Sequence, residues 1–182
     1  MNLNKYIDNH REDIIRSVQD IIRIPSVKSE PLPGKPFGEK IDEALRNALA
    51  LADRLGFKTK NIDGYAGYAE FGEGDETMAI LGHLDVVPEG SDWTYPPYEA
   101  RVVDGKIYGR GAIDNKGPTI GALYAMKAVM ESGRKMKRKV RIIFGTDEES
   151  GWKDMEVYFQ REPMPDFGIT PDADYPIINV EK

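Results

Sequence analysis

The stretch TMAILGHLDVV, residues 77–87, is an apolar run that ends at a histidine and, two residues later, an aspartate. A short apolar run of this kind predicts a buried strand. His83 and Asp85 follow where the apolar part ends, and the chain has one other histidine, His10. Because ligands of open α/β sheets bind at the carboxyl ends of strands, this stretch predicts a functional site at the end of a core strand.

Strand and helix patterns alternate along the rest of the chain. The apolar spacing predicts helices over about 2–23, 39–56, 117–131 and 151–162. The remaining patterns predict strands at 57–62, 67–74 and 139–150, a hairpin at 100–111 with Asp-Gly at its turn, and an extended stretch at 165–180. Strands that alternate with helices favour a layered α/β fold.

The composition excludes several classes of function. The 25 Lys and Arg against 31 Asp and Glu give a net charge of -6, which disfavours nucleic acid as a partner. No stretch approaches the roughly 18 apolar residues of a membrane span, and residues 1–13 lack the apolar segment of an export signal. The sequence therefore predicts a cytoplasmic protein with no membrane partner. Because it has no cysteine, a thiolate nucleophile is excluded and any metal must be bound by His, Asp or Glu.

Acidic residues follow four of the apolar runs. The four groups are His83 with Asp85, Asp114, Glu148 with Glu149, and Asp172 with Asp174. Because strand ends meet at one edge of a sheet, we expect these groups to converge. Six carboxylates and one imidazole at close range would take up protons at neutral pH unless cations were bound. Such ligands suit zinc, with manganese or cobalt as alternatives, and two ions bridged by one carboxylate would use the groups fully.

Spacing suggests roles for some of these residues. Asp85, two residues after His83 on a strand, can hydrogen-bond the far ring nitrogen of the histidine; the alternative is that Asp85 only caps a turn. Glu148 and Glu149 point in opposite directions in an extended chain, so one can bind metal while the other faces substrate. Alternatively, residues 147–150 form an acidic helix N-terminus. His10 is predicted to be a surface residue.

Four motifs occur in a fixed order along the chain: GHLDVVP (82–88), YGRGAIDNKGP (108–118), FGTDEESGW (144–152) and PDADYP (171–176). They resemble the metal-site motifs of the co-catalytic zinc aminoacylase, carboxypeptidase and dipeptidase family of metallopeptidases, most of all its PepV-like Xaa-His dipeptidases. The resemblance covers nearly the whole chain. It implies a zinc-exopeptidase-like catalytic domain, a three-layer α/β sandwich around a mixed, mostly parallel sheet.

The resemblance also implies a role for each matching residue. His83 and Asp172 would bind one zinc ion, Glu149 the second, and Asp114 would bridge both; Asp85 would orient His83, and Glu148 would be the general base. A cis peptide bond would join Asp114 to Asn115. The implied reaction is hydrolysis of a dipeptide or small peptide at an amide bond by a water that bridges two zinc ions.

Members of this family are longer, with a lid or dimerisation domain and a last zinc-binding histidine near the C-terminus. The resemblance therefore identifies residues 1–182 as the N-terminal part of a catalytic domain without those segments, and inactive alone. Two alternatives remain open: an N-acyl amino acid deacylase or carboxypeptidase of the same family, and a noncatalytic metal-binding fragment. Apolar strand surface near residues 177–180 would be exposed and would favour self-association.

Overall fold

The computed structural model describes residues 2–172. Its helices are α1 (Leu3–Asn9), α2 (Arg11–Ile22), α3 (Glu39–Arg54), α4 (Lys116–Glu131) and α5 (Lys153–Arg161). Its strands are β1 (Lys58–Ile62), β2 (Ala66–Phe71), β3 (Thr77–His83), β4 (Arg101–Val103), β5 (Lys106–Tyr108), β6 (Lys139–Gly145) and β7 (Phe167–Ile169). Asp174 and the apolar surface predicted near residues 177–180 lie outside the described residues.

Five strands form the central sheet in the order β1-β2-β6-β3-β7. Strand β3 pairs in parallel with β6 and with β7, whereas β2 is antiparallel to both β1 and β6. Four of the five strands therefore run in one direction, which confirms the mixed, mostly parallel sheet. The register pairs His83 at the end of β3 with Gly145 at the end of β6, so the loops after both strands start at the same edge.

The sheet separates two apolar cores. Ile142 and Phe144 of β6 are fully buried on the side of α2, α3 and α4, whereas Ile143 between them packs on the other side with Met155 and Tyr158 of α5. This alternation follows from the pleat of a strand, which directs successive side chains to opposite faces. Helices cover both faces, so the predicted three-layer sandwich is confirmed.

Local signals located most elements correctly. Helix α3 ends at Arg54, close to the predicted end at Gly56, and the predicted hairpin is formed by β4 and β5. Its turn residues Asp104 and Gly105 have φ angles of 50° and 74°, as a two-residue turn with both centres left-handed requires. Within residues 2–172, no helix combines the length and apolarity needed to cross a membrane.

The predicted first helix is two helices that meet at His10. The φ and ψ of His10 are -108° and 13°, outside the helical region, and this residue lies between α1 and α2. The imidazole stacks on Tyr6 at a ring-centroid distance of 4.0 Å, and its Nδ1 lies 2.8 Å from the backbone oxygen of Tyr6. The backbone N–H of His10 still donates to the backbone oxygen of Tyr6 at 3.1 Å, so the break consists of the backbone angles of this one residue, which the apolar spacing alone did not reveal.

Candidate metal centre

The acidic residues converge at the carboxyl ends of β3 and β6. Nε2 of His83, a residue only 2% exposed, lies 3.0 Å from Asp114, 3.6 Å from Asp172 and 3.9 Å from Glu148. These partners come from the turn just before α4, the chain after β7 and the loop after β6 respectively. The structure thus brings together residues that lie up to 89 positions apart in sequence (172 minus 83).

Two sets of side chains have the geometry of metal ligands. His83, Asp114 and Glu149 form one set, and His83, Glu148 and Asp172 form the other, with the ligand atoms of each set within 4.8 Å of one another. Nitrogen and oxygen ligands without sulfur fit zinc, manganese or cobalt. The donor chemistry therefore fits the predicted metal, and the peptide bond from Asp114 to Asn115 is cis, as the resemblance implied.

Asp85 lies against the other ring nitrogen of His83. Nδ1 is 3.0 Å from the backbone oxygen of Asp85 and 3.4 Å from its carboxylate. A protonated Nδ1 donates a hydrogen bond here, which leaves Nε2 free to bind a cation. Because β3 ends at His83, Asp85 reaches the ring from the loop and largely through its backbone, rather than from the next position on the same strand face.

The Asp85 carboxylate also holds the loop after β6. It accepts hydrogen bonds from the backbone N–H of Glu148 at 3.3 Å and of Glu149 at 3.0 Å. This loop is a turn rather than the extended chain expected from sequence, since the backbone N–H groups of residues 150–152 all donate to the backbone oxygen of Asp147. The two glutamates nevertheless enter different ligand sets. Helix α5 starts only at Lys153, so residues 147–150 are not its N-terminus.

Several buried charged residues support the centre and were missed in the sequence. The carboxylate of Asp154, 1% exposed, accepts hydrogen bonds from the backbone of Thr146 at 2.7 Å and Asp147 at 3.1 Å. Nζ of Lys28 lies 2.5 Å from the buried carboxylate of Asp147. Lys116, fully buried, donates to the backbone oxygen of Ile24 at 2.6 Å. The available signal was the position of the three buried residues, Asp147, Lys116 and Asp154, inside or beside the recognised motifs.

The electrostatics of the centre reflect its crowded carboxylates. Burial alone would lower the pKa of His83, but the hydrogen bond and charge of Asp85, together with Asp172, raise that pKa to about 9. The pKa of Glu148 and that of Glu149 are both raised, first by burial and then by neighbouring carboxylates. The metal-free centre therefore holds protons that a cation would displace.

We expect the imidazole of His83 to titrate near pH 9 in the metal-free chain, well above its ordinary value of 6.5. A raised pKa means that the ring is protonated at pH 7, so zinc must displace a proton to bind Nε2. The zinc association constant should accordingly rise about tenfold per pH unit from pH 7 and level off near pH 9. NMR titration of the ring and calorimetry in buffers of different ionisation enthalpy measure both effects; a ring that titrates at 6.5 would contradict them.

Comparison with known proteins agrees with this geometry. Residues 79–179 match the model of peptidase family M20/M25/M40. Over its full length the chain is 50% identical to YtjP of Bacillus subtilis (strain 168) and 39% identical to the Beta-Ala-Xaa dipeptidase of Lactobacillus delbrueckii subsp. lactis. It spans 40% and 39% of the length of these relatives.

The fold also matches a solved structure. Human carnosine dipeptidase 1 superposes with a TM-score of 0.76 and 28% identity, over 94% of this chain and 40% of that chain. The family match covers more than half of the chain, and we conclude that the chain belongs to peptidase family M20/M25/M40.

Proposed function

We propose that the complete gene product is a zinc-dependent dipeptidase. The observation that carries the proposal is the convergence of Asp114, Asp172 and Glu148 on Nε2 of His83, with Glu149 in the same cluster. The similarity to a Beta-Ala-Xaa dipeptidase supports a dipeptide as substrate. His83, Asp114, Glu149 and Asp172 would hold two zinc ions.

Bound zinc would supply Lewis-acid polarisation of the scissile carbonyl and a nucleophilic water at neutral pH. Glu148 is the residue best suited to transfer the proton of the attacking water. Its carboxylate lies 3.9 Å from the histidine ring, and its raised pKa brings it closer to neutrality, where a general base works best. Glu148 takes a proton from the attacking water and returns it to the nitrogen of the leaving amine. Asp85 keeps the histidine in the tautomer that presents Nε2.

A cavity beside the cluster fits a small substrate. Its volume is about 250 Å³, and it is lined by His83, Glu148 and Asp172 on the polar side and by Leu81, Trp152 and Met155 on the apolar side. Cavities for drug-sized ligands hold roughly 300–1,000 Å³. The smaller volume favours a ligand of the size of a dipeptide or of one of its side chains.

The test compares substrates on the complete gene product, loaded with zinc and then treated with EDTA. We expect release of amino acids from dipeptides, loss of this activity with EDTA and recovery with zinc. Faster hydrolysis of an N-acetyl amino acid would instead identify a deacylase, and activity that survives complete removal of metal would overturn the proposal.

Residues 1–182 alone are expected to bind zinc without hydrolysing dipeptides. The chain contains only one histidine besides His83, and that residue, His10, stacks on Tyr6 instead of joining the cluster. Calorimetric titration with zinc and a dipeptide assay check this expectation. If the complete gene product also binds zinc without activity, this result would favour a noncatalytic metal-binding protein. If residues 1–182 cleave dipeptides, the further zinc-binding histidine that the family resemblance implies would be dispensable.

A further inference from the structure

Asn115 connects three segments that supply the metal centre. Its side chain is fully buried and uses its whole hydrogen-bonding capacity. The oxygen Oδ1 accepts from Oγ1 of Thr119 at 2.6 Å and from the backbone N–H of His83 at 3.4 Å. The nitrogen Nδ2 donates to the backbone oxygen of Pro171 at 2.8 Å and to Oδ1 of Asp172 at 3.0 Å.

The partners of Asn115 permit only one orientation of its amide. If the amide were flipped, Nδ2 would face the backbone N–H of His83, and Oδ1 would face two acceptors, the oxygen of Pro171 and the carboxylate of Asp172. Both contacts would be repulsive, because two donors or two acceptors cannot form a hydrogen bond. The side chain of Asn115 therefore presents its donor to Asp172.

Gly82 of strand β3 leaves the space that the side chains of Asn115 and Thr119 occupy. A Cβ atom added to Gly82 would lie 2.2 Å from Oγ1 of Thr119 and 2.9 Å from Oδ1 of Asn115. Both distances are far below van der Waals contact, so any larger residue at position 82 would displace the amide. The glycine that precedes His83 thus allows α4 to approach the strand closely enough for Asn115 to reach across it.

We propose that Asn115 is a positioning residue that holds Asp172 as a metal ligand next to His83. One carboxylate oxygen of Asp172 is held by Nδ2 of Asn115, and the other, Oδ2, lies 3.6 Å from Nε2 of His83. Asn115 thereby sets which oxygen faces the centre. The proposal rests on the proposed function for the identity of the cation, but the contact between Asn115 and Asp172 does not depend on it.

The first test uses NMR of the metal-free chain to probe the hydrogen bond from Nδ2 of Asn115 to Asp172. We expect the Nδ2 protons of Asn115 to exchange with solvent at least about tenfold more slowly than those of Asn9, an exposed asparagine on α1. Asp172→Ala should speed up the exchange of the Asn115 amide. Exchange of this amide as fast as that of Asn9 would overturn the proposal, whatever the chain does with metal.

The second test measures zinc affinity by competition with a chelator. Asn115→Asp keeps the shape but removes the donor, and it should weaken zinc binding about 10- to 100-fold. Thr119→Val removes the hydroxyl that fixes Oδ1 and should weaken binding about fivefold, as expected for one hydrogen bond. The matched control is Tyr124→Phe, on the same helix α4 as Thr119. It removes a hydroxyl that lies 2.9 Å from Oγ of Ser17, and it should leave zinc affinity unchanged.

The outcomes separate this inference from the proposed function. Zinc affinities of Asn115→Asp and wild type that agree within twofold would overturn the positioning role and leave the dipeptidase proposal intact. A wild-type chain that binds no zinc, manganese or cobalt would overturn the metal assignment and, with it, the role of Asn115 in metal binding. Equal losses of affinity in Asn115→Asp and Tyr124→Phe would show a general effect on folding and would also contradict the proposal.

Discussion

Replacement of Glu148 by Gln in the complete gene product is expected to lower kcat for dipeptide hydrolysis about 100- to 10,000-fold, the usual contribution of general acid–base catalysis. The amide of glutamine has the same shape but cannot accept a proton from water. The backbone N–H of residue 148 would still donate to Asp85, so the loop should keep its conformation. The measurement is steady-state kinetics with saturating zinc.

The matched control for this variant is Glu156→Gln. Glu156 lies on α5, with 58% of its side chain exposed, and forms an ion pair with Lys153. Its replacement should leave kcat within twofold of the wild-type value. If the Glu148→Gln enzyme kept its activity within tenfold of wild type, the assignment of the general base would be wrong. A loss of bound zinc in this variant would instead indicate that Glu148 is a metal ligand.

Arg141→Met is expected to lower the free energy of unfolding by about 3–5 kcal/mol, as for other buried ion pairs that lose one partner. Arg141, on β6, is 6% exposed and lies on the α5 side of the sheet. Its guanidinium donates to Glu70 at 2.7 Å, to the hydroxyl of Tyr158 at 2.8 Å and to Glu162 at 3.3 Å, and it covers the ring of Tyr68. Without it, Glu162, whose side chain is 7% exposed, keeps Lys60 as its one cationic partner among residues 2–172.

Urea unfolding of residues 1–182 in EDTA measures this effect without a contribution from metal. Arg138→Met is the matched control, because Arg138 forms an ion pair with Glu76 in which both side chains are about half exposed. Exposed pairs contribute roughly 0–1 kcal/mol, so this variant should lose far less stability than Arg141→Met. Equal losses of unfolding free energy in the two variants would show that burial of the ion pairs of Arg141 does not add to stability.

Sequence patterns predicted the elements whose signals are local. The apolar run before His83 became β3, and Asp104-Gly105 became the turn between β4 and β5. The acidic residues at strand ends were expected to converge, and the sheet places those in the described part of the chain at one edge. These predictions succeeded because each depends on a few neighbouring residues or on the general rule for the ends of parallel strands.

Other features depend on contacts between distant segments. The turn at residues 147–151 forms around Asp147, whose carboxylate contacts Lys28, 119 positions earlier. The network of Arg141 spans 71 positions to Glu70. The sequence pattern marked Arg141 only as one position in a buried strand, with no indication of which acids would surround it.

Composition and short-range pattern were thus sufficient for the class of fold, the strand that ends at His83 and the kinds of side chain available to bind a cation. The tetrad of contacts around Asn115, the shared support of both glutamates by Asp85 and the charge cluster of Arg141 came from the folded chain alone. The physical reason is that a hydrogen bond forms only when donor and acceptor lie within about 3 Å in a suitable orientation. Register between strands and packing of α4 and α5 on the sheet set those distances, and neither is encoded in any single segment.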